Sequence, residues 1–120
     1  MIEITHPVIG PLRPWRGRVY PTHFQEFDNG LVKGLACVRD DGIEFMAVDT
    51  HCHGAGHFRD FIRDLKQHYT HIRFWAMLNG KIVAILWRYG FTSGYDASEF
   101  GEITDCMDWT KGNEKEETTV

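Results

Sequence analysis

The chain has 120 residues, 42% hydrophobic and 13% aromatic, which is enough apolar material for one domain with its own core. Thirteen Lys and Arg stand against seventeen Asp and Glu, a net charge of -4 with no basic stripe, and this excludes broad nucleic-acid binding. No apolar run approaches the roughly 20 residues that span a bilayer, and Cys37, Cys52 and Cys106 have no paired spacing and follow no signal-like N-terminus. Free thiols, a reducing compartment and a cytoplasmic location are therefore expected.

Residues 1–30 carry the weakest pattern. Ile2 and Ile4 suit a short strand, but Pro7, Gly10, Pro11, Pro14 and Gly17 interrupt the chain beyond it. Arg13, Arg16 and Arg18 around Trp15 read as a solvated loop. Thr22 to Phe27 suits a single helical turn, capped by Thr22 and ended by Asp28-Asn29-Gly30. Leu31 to Val38 is strand-like, and Asp40-Asp41-Gly42 is a hairpin signal before Ile43, so strands over 31–39 and 43–50 should be antiparallel neighbours.

The next segment, His51-Cys52-His53-Gly54-Ala55-Gly56, opens an amphipathic helix. A glycine-rich turn between a buried strand and a helix leaves backbone N–H groups unpaired at the positive end of the helix dipole, a site for phosphate or pyrophosphate. The bland alternative is an ordinary strand-to-helix connection. From Gly56 to Tyr69, Phe58, Phe61, Ile62, Leu65 and Tyr69 form one helical stripe, while Arg59, Asp60, Arg63, Asp64, Lys66 and Gln67 are expected to face water. Residues 71–78 are too apolar for an exposed strand and should be central, joined to strand 43–50 by a right-handed crossover. Ile82, Ile85, Leu86 and Tyr89 make a second, shorter helical stripe. Tyr95 and the stretch 101–109 read as a closing hairpin, and 111–120 as a frayed tail. Trp75, Trp87 and Trp109 should serve as core or rim packing.

This order resembles the GCN5-related N-acetyltransferase (GNAT) family over roughly residues 31–110. The family's loop pattern Gln/Arg-x-x-Gly-x-Gly/Ala is matched at Gly54 and Gly56, with His51 in the Gln/Arg place. Its downstream helix pattern is matched by Asn79, Gly90 and Phe91, but Leu86 stands where a tyrosine is usual. Small phage-encoded GNAT-like proteins look particularly similar, which would put the chain in host cytoplasm or a virion. The resemblance implies one α/β domain over 1–110, a GNAT-like mixed, mostly antiparallel twisted sheet flanked by helices, with 1–30 as an irregular N-terminal part. It implies acetyl transfer from acetyl-CoA to an amine, small molecule or protein, with no nucleic-acid or membrane partner and a homodimer left open. The strand from Val48 to Thr50 would splay and bind the pantetheine arm. Gly54, Ala55, Gly56 and His57 would hold the pyrophosphate, with Asn79 completing the cofactor site.

The departures bear on chemistry. The family tyrosine commonly protonates the departing thiolate, and Leu86 cannot. Tyr89 lies one turn on but fits the buried stripe. Glu44 is the candidate general base, since alternation would put it on one face with Met46 and Val48, near the thioester. Its rival reading is a surface carboxylate. In the family the N-terminal region forms helices lining the acceptor site, and here it is short and Pro-rich. The chain is then either an acyltransferase with an open acceptor groove or a non-catalytic binding or structural module.

Two other chemistries fit less well. His51, Cys52, His53 and His57 resemble metal ligands in composition, but His68, His71 and Cys106 do not supply the second paired set a closed zinc site needs, so no metal is expected. Cys52 as a nucleophile would need a neighbouring histidine, and adjacent residues at a strand end point apart.

Overall fold

The computed structural model describes residues 4–16, 22–52, 54, 56–75, 80–99 and 101–112. Ile2, Arg18, His53, Ala55, residues 76–79 with Asn79, and the tail from 113 onward lie outside these. In chain order the elements are β1 (Thr5–His6), β2 (Gly10–Pro11), β3 (Gln25–Asp28), β4 (Val32–Val38) and β5 (Gly42–Thr50), then α1 (His57–His68), β6 (His71–Trp75), α2 (Gly80–Arg88), β7 (Thr92–Ala97) and β8 (Ile103–Thr110). β1 and β2 form a small hairpin, and the other strands make one sheet in the order β3-β4-β5-β6-β8-β7. Every pairing in that sheet is antiparallel except β5 with β6, so this is an α/β chain with a mostly antiparallel six-stranded sheet and two helices. Among the described residues no helix is long and apolar enough to cross a membrane.

The helical turn expected at Thr22 to Phe27 is absent, and its second half belongs to β3 (Gln25–Asp28). Phe24 and Phe27, three apart, would share a face of a helix, but they lie on opposite faces of extended chain. Phe27 joins the helix-side core and Phe24 the cluster on the far side of the sheet. Asn29-Gly30 is then a hairpin turn, not a helix stop. Asn29 Oδ1 accepts the Leu31 and Val32 amides at 2.9 and 2.8 Å, and Gly30 takes φ +96°, which suits glycine. β3 therefore pairs with β4, and residues 1–30 are less irregular than their prolines suggest.

α1 follows its expected stripe. Phe58, Phe61, Ile62 and Leu65 are buried, with Tyr69 just beyond, against the same cluster that holds Leu86 of α2. Six phenylalanines form the centre of that cluster. Phe45 stacks on Phe74 at 4.9 Å between centroids, and Phe27 and Phe61 meet Phe45 edge-on at 5.6 and 5.5 Å. Lys66 departs from its expected place in water. Its ammonium donates to the Tyr89 carbonyl at the end of α2 and lies 5.0 Å from the Trp109 ring centroid, where helix dipole and π-face both attract a cation. Trp75 and Trp109 are buried as expected, whereas Trp87 is 55% exposed.

One irregularity in the sheet reorganises a whole face. Leu35 pairs with Ala47 and Ala36 with Phe45, which leaves Met46 as a bulge in β5. Before the bulge, Glu44 points away from the helices and Phe45 toward them. After it, Val48 packs against the helix-side core while Met46 packs against the opposite cluster. Alternation breaks there, so Val48 does not share a face with Glu44 and Met46.

Candidate functional site

β5 and β6 pair from Gly42 with His71 to Phe45 with Phe74. β5 runs on from Met46 to Thr50 beside β4, while the described part of β6 ends at Trp75. Among the described residues, the edge of β5 from Met46 to Thr50 that faces away from β4 takes part in no pairing. A cleft of about 300 Å³ lies at that end, walled by Val48, Asp49 and Thr50 of β5, by Gly54, Gly56 and the first turn of α1, and by Lys81, Ile82 and Ile85 of α2. Val48, Phe58, Ile82 and Ile85 give it apolar walls, and Arg59 and Lys81 bring cationic side chains.

The glycine turn has the conformation its sequence suggests. Gly54 and Gly56 sit at φ +82° and +79°, and a Cβ built on either meets no atom within 4 Å, so conformation demands glycine there and the space beside it is open. Gly56 is the N-cap of α1 and gives no side-chain cap, and the Asp60 amide bonding Gly56 O at 3.2 Å is the first helical bond. The amides of His57, Phe58 and Arg59 are left without a helical carbonyl at the positive end of the dipole. His57 Nδ1 is buried with no hydrogen-bond partner, and a polar atom in that state calls for one.

His51 does not join this cleft. Its Nε2 lies 2.8 Å from Asp28 Oδ1 on β3, and its amide donates to Leu31 O. The Gly30 amide first, and then His51, hold the Asp28 carboxyl below the usual range. Cys52 is exposed on the cleft rim. Leu86, at the tyrosine place, is fully buried.

Glu44 lies on the sheet face away from both helices. Its side chain is 15% exposed, with Oε1 accepting from Trp75 Nε1 at 2.9 Å and Oε2 from Arg39 Nε at 3.0 Å. It heads a row in register across the sheet, Glu44 beside Arg73 and Arg73 beside Asp108. Arg73 Nε and Nη1 donate to Asp108 at 2.6 Å and Asp96 at 2.8 Å, and its guanidinium stacks over Trp75 at 4.8 Å. Burial works against the Arg73 charge, but its bonds to Asp108 and Asp96 outweigh this and push its pKa up. Beside this row is a second cleft of about 400 Å³. A third depression, of about 550 Å³, lies between the N-terminal arm and strands β3 to β5, and no described helix residue lines it.

Sequence reasoning missed Arg59 and Lys81 as cleft residues and Arg39, Arg73 and Trp75 as partners of Glu44. Lys81, next to Gly80 at a helix start, carried a readable signal, whereas the row across the sheet depends on register. Among the described residues no group of three or more His, Cys, Asp or Glu could hold a metal ion. No protein-family model matches this chain, and no curated protein matches it significantly.

Proposed function

We propose that this chain is an acyl-CoA-dependent N-acyltransferase of the GNAT kind, acting on an amine. The observation that carries the reading is the cleft between the end of β5, α2 and the uncapped N-terminus of α1. An extended amide-bearing arm would pair along β5 from Met46 to Thr50, an edge that no described residue occupies, as a β-strand would. A diphosphate at the far end has the amides of His57 to Arg59, the open space beside Gly54 and Gly56, and the charges of Arg59 and Lys81.

In this reading the amine nitrogen attacks the acyl carbonyl, the C–S bond breaks, and the thiolate leaves. Glu44, on the sheet face opposite that cleft, takes the amine proton through a water from an acceptor held on its own face, since each of its oxygens keeps an acceptor site beyond those used by Trp75 and Arg39. His51 sits toward the diphosphate end of β5 and is a poor base for the same step. The buried Leu86 offers no proton, so the thiolate is protonated by solvent. That burial also supports a second reading, a non-catalytic module that keeps the cleft and has lost the reaction.

Calorimetry with acetyl-CoA tests the first reading. Wild type should bind saturably, and Gly56→Asp should lose binding by placing a carboxylate among the phosphates, with Arg59→Ala weakening it. Indifference of wild type to millimolar acetyl-CoA would reject the site. Thiol release over a panel of amines then separates the two readings, because intact binding without acceptor-dependent release leaves the non-catalytic module.

A further inference from the structure

On the sheet face that neither described helix covers, the 400 Å³ cleft has an apolar floor of Phe24, Met46 and Trp75. Its charges do not balance. Arg39 is taken by Glu44, and Arg73 is shared between Asp108 and Asp96, which His71 approaches at Asp108 from the side, 3.2 Å away. Among the described residues Glu99 accepts only from neutral donors, the Thr22 hydroxyl and the His23 amide at 3.1 Å. No cation among the described residues pairs with Glu102, which sits on the same rim at the start of β8. Two guanidinium groups thus stand against five carboxylates, and two of those carboxylates, from one hairpin loop, have no counter-charge among the described residues. A concave site with an aromatic floor and a surplus of negative charge on one rim favours a ligand with an aliphatic body and positive ends.

We infer that this cleft binds an alkylammonium ligand, and prefers one with two cationic centres over one. Glu99 and Glu102 hold the distal cation, and Trp75 and Phe24 support the carbon chain. Its role as the acceptor site rests on the acyltransferase reading, since Glu44 and Met46 carry its wall onto β5, whose far end lines the cleft beside α1. The binding itself does not rest on that reading.

The test is calorimetry at low salt without CoA, using putrescine and n-butylamine as probes. Putrescine should bind saturably and more tightly than n-butylamine, and added sodium chloride should weaken it. Glu99→Gln and Glu102→Gln should each weaken putrescine by about two- to five-fold, the scale of exposed ion pairs. Glu102 is exposed, so its variant keeps the test open if loss of the Glu99 contacts disturbs folding, with circular dichroism as the check. Gly56→Asp should leave putrescine binding unchanged. No saturable binding, equal affinity for the two amines, or indifference to Glu102→Gln would overturn the inference. Putrescine binding without acetyl-CoA binding would keep this cleft and reject the acyltransferase reading, and the reverse pattern would do the opposite.

Discussion

A methyl group on Gly34 would sit 2.0 Å from the Ala47 carbonyl oxygen, because the bulge at Met46 turns that carbonyl into β4. The atom in the way is backbone, so the strand cannot yield cheaply. Gly34→Ala should cost about 3 kcal/mol or more in denaturant unfolding, the upper part of the overpacking range. Gly94 in β7 is the control, with nothing within 4 Å and no positive φ, and Gly94→Ala should stay within about 0.5 kcal/mol. Glu44 can be judged at the same scale. Under the proposed reaction Glu44→Gln should lower turnover about 100-fold or more while sparing acetyl-CoA affinity, measured by thiol release beside calorimetry. Unchanged turnover would remove Glu44 from the mechanism. Its type was legible in the sequence. Its neighbours were not, since Arg39 reaches it across a hairpin and Trp75 across a parallel pair.

At the scale of elements, α1 was the most readable, because its apolar spacing of three and four repeats without interruption against one sheet face. The shorter α2 has a single fully buried residue, Leu86, with Ile82, Val83, Ile85 and Tyr89 partly covered. Leu86→Ala should therefore cost about 2–5 kcal/mol, and a loss near zero by denaturant unfolding would place the residue at the surface. β3 was misread because two aromatics three apart satisfy a helix and a strand alike. Only pairing with β4 decided between them, and Asn29-Gly30 between Phe27 and Val32 was the overlooked local sign of a hairpin.

For the whole molecule, the thiols report on the fold. Cys52 is exposed while Cys37 and Cys106 are buried on the face away from the helices. One thiol of three should react promptly with a chromogenic disulfide, and the other two only on unfolding. Burial, with Asp108 nearby, pushes the Cys106 thiol up to about 11 from the ordinary 9.0. A folded pKa above the unfolded value means the stabilisation is complete below about pH 9 and is lost as pH rises toward 11. Stability should decline over that window by thermal or denaturant unfolding, and Cys106→Ala should lack this part of the decline.

The sequence by itself determined the class of fold, the two helices, the central strand at His71–Trp75, the closing hairpin and the glycine turn before α1. Each of these rests on local physics: periodic burial, turn chemistry, or the φ that only glycine takes without strain. Tertiary structure alone decided what those elements bring together. The bulge at Met46 sends Val48 toward the helices and keeps Glu44 and Met46 on the other side, and it makes Gly34 obligatory. Register sets Glu44, Arg73 and Asp108 side by side across three strands. The packing of α1 and α2 beside the end of β5 forms the cleft where Arg59 and Lys81, far apart in sequence, meet. A one-residue insertion in a ladder changes which face every later side chain meets, and no local pattern in β5 reveals it.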